Sequence, residues 1–195
     1  GIIATFLLGF YLIPEFGLTI PAVCVGSILL IATAFGFFNL KKKVFAGVNV
    51  IVILLAVSNS VKANNADTGE YKLLYSAEGI LGQIKVIEQP FTTYSRGTHK
   101  GRLLYVNNTA QTIAYAENTS QTLWDWSFFY KGVSSLAKKD GNVLLLGLGG
   151  GTFYHQLTDL GYAVDAVELD QRVKDIAVKY FSVPENANVI VDDAR

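Results

Sequence analysis

The chain has 195 residues, 51% of them hydrophobic, with 16 basic and 16 acidic side chains and no formal net charge. A mean hydropathy of +0.34 is too apolar for an ordinary soluble domain, where roughly 45–50% of residues are apolar with glycine counted. The acidic balance beyond the first sixty residues and the lack of a basic patch interleaved with aromatics argue against nucleic acid as a partner. Cys24 stands alone, and His99 and His155 have no second ligand at metal spacing, so neither a disulfide nor a metal site is expected.

The apolar excess is local. Residues 1–61 carry only Glu15 and Lys41 to Lys43 as charges, which leaves 13 basic and 15 acidic residues from Lys62 onward. A membrane part followed by a mildly acidic soluble part is therefore expected, with transmembrane segments over residues 1–61. Residues 1–13 are apolar up to Pro14-Glu15 and read as the tail of one spanning helix. Residues 18–38 form an uncharged run of 21, long enough to cross a hydrocarbon core of about 30 Å. Ala22 with Gly26, and Ala32 with Gly36, would let a second helix approach closely. Residues 44–57, or 44–61 if stretched, make either a short span or a hairpin arm. The basic residues follow the long apolar run, which argues against a cleavable signal peptide.

These segments predict a multi-pass membrane protein in contact with lipid, but its sidedness conflicts. Lys41-Lys42-Lys43 belongs on the cytoplasmic side, so a spanning third segment would put the soluble part outside and a non-spanning one would keep it inside. Either the third segment does not span, or upstream helices override this loop, or the soluble part is extracytoplasmic. The first two together keep the soluble domain cytoplasmic. With no methionine at all, the chain reads as an internal piece of a longer reading frame.

Residues 58–68, with three asparagines and two serines, read as a linker. A small antiparallel β-sheet subdomain is expected over 62–120, with strands at 71–76, 82–88, 102–107 and 112–116. Its turn signals are Glu78-Gly79, Gln89-Pro90, Gly97 and Asn107-Asn108. Residues 122–138 have helical periodicity. The aromatic cluster Trp124, Trp126, Phe128, Phe129 and Tyr130 either lines a ligand pocket or, more simply, packs that helix against both subdomains.

Residues 121–195 predict the first half of a Rossmann-like S-adenosyl-binding domain, α/β in class. A four-residue apolar strand, 143–146, reads as covered on both faces and runs into Gly147-Leu148-Gly149-Gly150-Gly151. A helix over 152–160 follows, and then a strand over 163–167 that ends on Glu168. Ligands of open α/β sheets bind at this carboxyl edge, where glycines permit close approach and a carboxylate can hold a ribose diol. The spacing G-x-G-G-G-T is compressed relative to the dinucleotide fingerprint G-x-G-x-x-G and suits an S-adenosyl compound, which has no pyrophosphate. Residues 188–191 start a third strand. A sheet of about three strands, where five or more are usual, reads as half a domain.

The small sheet, the aromatic helix, V-L-L-L-G-L-G-G-G-T at 143–152, V-E-L-D at 167–170 and V-D-D-A at 191–194 together resemble the spermidine synthase family of polyamine aminopropyltransferases. The hydrophobic helices in front match its membrane-fused branch, and the resemblance covers about residues 71–195. It implies a transferase of polyamine biosynthesis that moves an aminopropyl group from decarboxylated S-adenosylmethionine to a small-molecule amine. It also implies no metal, with a homodimer as a candidate assembly. By this resemblance Gly147, Gly149, Gly150 and Gly151 bind the adenosyl moiety, Glu168 its ribose, and Asp193 and Ala194 its adenine. Gln111, in L-Y-V-N-N-T-A-Q, matches a polar residue on the substrate side. The catalytic aspartate is expected beyond Arg195.

The sequence also departs from the family pattern. Gly150 stands where an aspartate is usual, Gly82 where a glutamine is usual, and Trp124-Asp125-Trp126-Ser127 has no tyrosine-His-Glu signature. An S-adenosylmethionine-dependent methyltransferase would use the same glycines and Glu168. A catalytically silent adenosyl-binding membrane module is the third reading.

Overall fold

A computed structural model of the chain describes residues 1–41, 43–64, 71–127, 132 and 141–195. These form two compact units: residues 1–66 with 76–83, and residues 67–75 with 84–195.

The first unit is helical. Helix α1 (Ile2–Leu7) passes through a π-helical turn (Leu8–Leu12) into α2 (Ile13–Phe16). The helix does not stop at Pro14-Glu15 as expected: Pro14 lies in a continuous helix just after the π-helical turn Leu8–Leu12, an irregularity of the ladder that accommodates a residue without an N–H. It stops at Gly17, whose φ of +72° breaks the ladder. Helix α3 (Thr19–Asn39) follows, and then α4 (Lys43–Asn64), with Lys41 at φ +60° in the turn between them. The 21 residues of α3 rise about 31 Å.

Only Pro21 of α3 is buried, while Ile28, Leu29 and Phe35 are each more than 60% exposed. Among the described residues α3 is the helix long and apolar enough to cross a membrane. Helix α4 packs against α3, with the Phe37 and Phe45 rings 5.5 Å apart. It absorbs residues 58–64, which were expected to be linker; its apolar stretch is Gly47–Ser58.

A four-stranded sheet has the order β1 (Lys72–Ala77), β2 (Ile84–Thr93), β3 (Gly97–Val106) and β4 (Thr109–Tyr115), all in the second unit but for the last two residues of β1. The β2–β3 and β3–β4 pairs are antiparallel. Asn107 and Asn108, at φ +50° and +61°, make the two-residue turn between β3 and β4, where asparagine tolerates the left-handed region. Gln89-Pro90 is not a turn: Pro90 lies inside β2 opposite Lys100, and the chain reverses at residues 94–96 instead. Ten-residue β2 outruns six-residue β1, which leaves room in the ladder for a residue without an N–H.

Both faces of this sheet are packed. Ile84, Val86, Leu104 and Ala114 pack against Val173, Ile176 and Phe181, while Ile87, Leu103 and Ile113 pack against Leu123. The helix expected over 122–138 falls mostly outside the described residues, and it does not start at residue 122. Thr122 bridges Ala114, and Leu123 donates to the Ile113 carbonyl, so the chain is still extended there.

A parallel sheet of β5 (Asn142–Leu146), β6 (Ala163–Glu168) and β7 (Val189–Val191) completes the unit, with α5 (Thr152–Asp159) and α6 (Gln171–Phe181) as its connections. Strand order follows chain order, so both crossover helices fall on one face. Val143 and Leu145 pack there with Tyr154, Leu157 and Ala177. Strand β5 is therefore not covered on both faces as expected, since Leu144 and Leu146 point the other way and are about 60% exposed.

Candidate functional site

The glycine turn is shaped by the strand before it and the helix after it. Gly147 donates to the Val167 carbonyl at 2.8 Å, the last rung between β5 and β6, and the chain then leaves the sheet. Gly147, Gly149 and Gly151 have φ of +89°, +54° and +83°, values that a β-carbon disfavours.

The glycines differ in what lies beside them. Among the described residues, a β-carbon at Gly147 would meet nothing within 4 Å, so this part of the turn is open with respect to them. At Gly150 it would sit 2.7 Å from Thr112 Cγ2 and 2.8 Å from its Oγ1, and at Gly151 it would overlap Val183 Cγ2. Gly147 thus faces a space a ligand can enter, while Gly150 and Gly151 let β4 and the segment after α6 pack tightly.

Glu168 ends β6 beside this turn, and its carboxylate is engaged by backbone. Oε2 accepts from Leu148 N at 2.9 Å and from Gly149 N at 3.3 Å, and Oε1 accepts from Asp170 N at 3.1 Å. Asp170 caps α6 by accepting from Arg172 N at 2.9 Å and pairs with the Arg172 guanidinium at 2.6 Å. Hydrogen bonds to Asp170 raise the Arg172 pKa more than burial lowers it, so the guanidinium lies above its ordinary value. The Glu168 carbonyl accepts from Asp192 N at 3.0 Å, which brings the end of β7 to the same edge.

Gly147, Gly149, Gly151 and Glu168 are therefore brought together at the carboxyl edge of the parallel sheet. Gly150 joins them with its amide already used, donating to Thr112 Oγ1 at 2.8 Å. Gln111 is exposed on β4, and its backbone carbonyl lies 3.9 Å from where a β-carbon of Gly149 would be. Asp193 and Ala194 follow β7 and are exposed. The Asp193 carboxylate pairs with Arg195 at 2.5 Å, and the side-chain and backbone hydrogen bonds from Arg195 hold it below its ordinary pKa.

Two residues of this edge were not picked out from sequence. Thr112, 2% exposed, fills the space that Gly150 leaves, and its only sequence signal is its place one residue after Gln111. Asp170 stood in the sequence only as the last residue of V-E-L-D, not as the cap of a helix or the donor of an N–H to Glu168. Beside α5, the Trp126 and Phe153 rings lie 5.7 Å apart, and Trp124 and Trp126 4.9 Å, so this part of the aromatic cluster is packed together. Phe128, Phe129 and Tyr130 lie outside the described residues.

No family model matches the chain. A stretch of 59 residues, 30% of the chain, is 41% identical to the N-terminal histidine N-methyltransferase of Emericella nidulans and corresponds to 11% of that protein. Among solved structures, the spermidine synthase of Thermotoga maritima matches 63% of the chain at 18% identity and a TM-score of 0.42. A probable spermidine synthase of Corynebacterium glutamicum matches the same share at 14% identity and 0.42, and a spermidine synthase in complex with the transition state analogue AdoDATO at 17% and 0.41. The chain spans 40, 44 and 41% of these three structures, well under half of each.

Proposed function

We propose that the turn at Gly147 to Gly151 and Glu168 form the adenosyl site of a transferase. In this reading decarboxylated S-adenosylmethionine donates an aminopropyl group to a small-molecule amine. The observation that carries it is the placement of Glu168. An acid closes the second parallel strand beside an open glycine turn that ends the first, and its Oε1, which accepts only from Asp170 N, keeps an acceptor site for a hydroxyl of an adenosyl ribose. The open side at Gly147 fits the ligand's close approach to backbone.

The reaction asks three things of the protein. The amine nitrogen attacks the methylene next to the sulfonium, the C–S bond breaks with its electron pair going to sulfur and the neutral adenosyl thioether leaves, so the protein must orient the donor, remove a proton from the amine and stabilise a cationic acceptor. The chain's own residues account for the first: the turn and Glu168 seat the adenosyl end, with Asp193 and Ala194 toward the adenine and Gln111 toward the substrate. The proton acceptor is the aspartate that the family resemblance expects beyond Arg195. In the same reading α3 and α4 form a membrane hairpin in the manner of the membrane-fused branch.

The methyltransferase reading has one observation in its favour, the 59 residues shared at 41% identity with a histidine N-methyltransferase. The two readings separate by donor. Isothermal titration of the full chain in detergent with decarboxylated S-adenosylmethionine and with S-adenosylmethionine should give tighter binding of the decarboxylated compound. Tighter binding of S-adenosylmethionine would favour methyl transfer, and no heat with either would refute the adenosyl site.

A further inference from the structure

The turn that should receive a ligand has no free amide to offer an anion. In Rossmann-like dinucleotide sites the N–H groups of the glycine turn meet a pyrophosphate. Here Leu148 N and Gly149 N both donate to Glu168 Oε2, Gly150 N donates to Thr112 Oγ1, and Gly151 N to the Leu148 carbonyl at 2.9 Å. Gly147 N belongs to the sheet. The carboxylate of Glu168 thus takes two of the turn amides that a phosphate would need.

The surrounding charge has the same sign. Glu168, Asp170, Asp192 and Asp193 all stand at the carboxyl ends of β6 and β7; Asp170 is paired with Arg172 and Asp193 with Arg195. Among the described residues neither Glu168 nor Asp192 has a cationic partner within salt-bridge distance, so the edge keeps two uncompensated negative charges. The ammonium of Lys174 is turned to the Val189 carbonyl at 2.8 Å.

We infer that Glu168 is a charge filter: by saturating the amides of Leu148 and Gly149 with its own carboxylate, it makes the site select net-cationic adenosyl sulfonium compounds and reject nucleotides that carry phosphate. This rests on the adenosyl reading above and adds to it the ligand's charge. A dinucleotide would have to displace a carboxylate that accepts three backbone N–H groups and place its own negative charge beside it. A sulfonium ligand leaves those bonds in place and can reach Glu168 Oε1 with one ribose hydroxyl, since Oε1 accepts only from Asp170 N while Oε2 already accepts twice.

Equilibrium dialysis of the full chain with three probes tests this. ADP-ribose has the same adenosine as S-adenosylmethionine but a pyrophosphate in place of the sulfonium. The unmodified chain should bind decarboxylated S-adenosylmethionine, with one more positive charge, at least as well as S-adenosylmethionine, and ADP-ribose at least about a hundredfold more weakly than either. Glu168→Gln keeps the shape of the side chain and removes the charge, and it should shift the ADP-ribose to S-adenosylmethionine affinity ratio by about tenfold or more toward ADP-ribose. Comparable binding of S-adenosylmethionine and ADP-ribose by the unmodified chain, or an unchanged ratio in a folded variant, overturns the filter and leaves the adenosyl site standing. No binding of any adenosyl compound overturns the site itself. Salt dependence in the unmodified chain separates the outcomes without a variant: raising ionic strength should weaken the sulfonium ligands and not ADP-ribose, and parallel slopes would refute the filter.

Discussion

Gly150→Ala is the sharpest test of how the glycine turn is built. The new methyl group would sit 2.7 Å from Thr112 Cγ2, 2.8 Å from Oγ1 and 2.9 Å from Cβ, three contacts closer than carbon atoms tolerate. Thr112 has little room to yield. It is 2% exposed and branched at Cβ, and rotating it removes Oγ1 from the Gly150 amide that donates to it at 2.8 Å. Overpacking of this kind costs about 1–3 kcal/mol, and the lost hydrogen bond about 1 more. Alanine returns about 0.4–1 kcal/mol by restricting the unfolded chain, because Gly150 is not among the glycines with positive φ. The net loss is about 1–3 kcal/mol, or a melting temperature lower by about 2–4 °C for each of those.

Thermal and urea melts followed by the fluorescence of Trp124 and Trp126 would measure it. Thr112→Ser removes the closest carbon and keeps the hydroxyl, so Gly150→Ala combined with Thr112→Ser should recover more than half of the loss. A neutral Gly150→Ala, or strict additivity of the two substitutions, would show that Thr112 does not hold the turn.

Gly151→Ala should be worse, since φ of +83° and the overlap with Val183 act together. Val183→Ala should relieve only the overlap, leaving about 1–2 kcal/mol of backbone cost in a melt. Glu88, 6% exposed, is pushed up by burial but held below its ordinary value by Lys100 at 2.7 Å and Arg102 at 2.5 Å. Its folded pKa is depressed, so its contribution is present above the ordinary glutamate pKa and lost as pH falls through the folded value. Arg102→Met also removes the donor to the Tyr180 carbonyl. It should cost about 3 kcal/mol and flatten the acid limb of a stability–pH curve.

Glu78 accepts from Leu18 N, Thr19 N and Thr19 Oγ1 at the start of α3, so residue 80 and the lysine turn at residue 41 should lie on opposite membrane faces. In a Cys24→Ser background, cysteines at Ile80 and Lys41 should be labelled from opposite sides of sealed vesicles. Labelling from one side would refute the hairpin.

What the sequence disclosed depended on whether a signal was local. Gly147, Gly149 and Glu168 were legible because a strand, a turn and an acid at the next strand's end are fixed by spacing along the chain. Asn107-Asn108 was legible because the two-residue turn chooses its residues. Thr112 was not, since its partner is 38 residues away and nothing in a strand sequence reports which glycine a threonine will touch. The long hairpin of β2 and β3 was cut short by Pro90, a breaker that sheet context overrode. Helix α4 outran its apolar stretch because Ser58 to Asn64 carry no proline or glycine to end it.

Everything proposed for the site depends on Glu168 holding the ribose of an adenosyl ligand at the glycine turn. Titration calorimetry of the unmodified chain and of Glu168→Ala with decarboxylated S-adenosylmethionine decides it, with a thermal melt to confirm that the variant folds. Saturable binding is expected for the unmodified chain and should be abolished in a folded Glu168→Ala; equal affinity in the two proteins would contradict the ribose assignment.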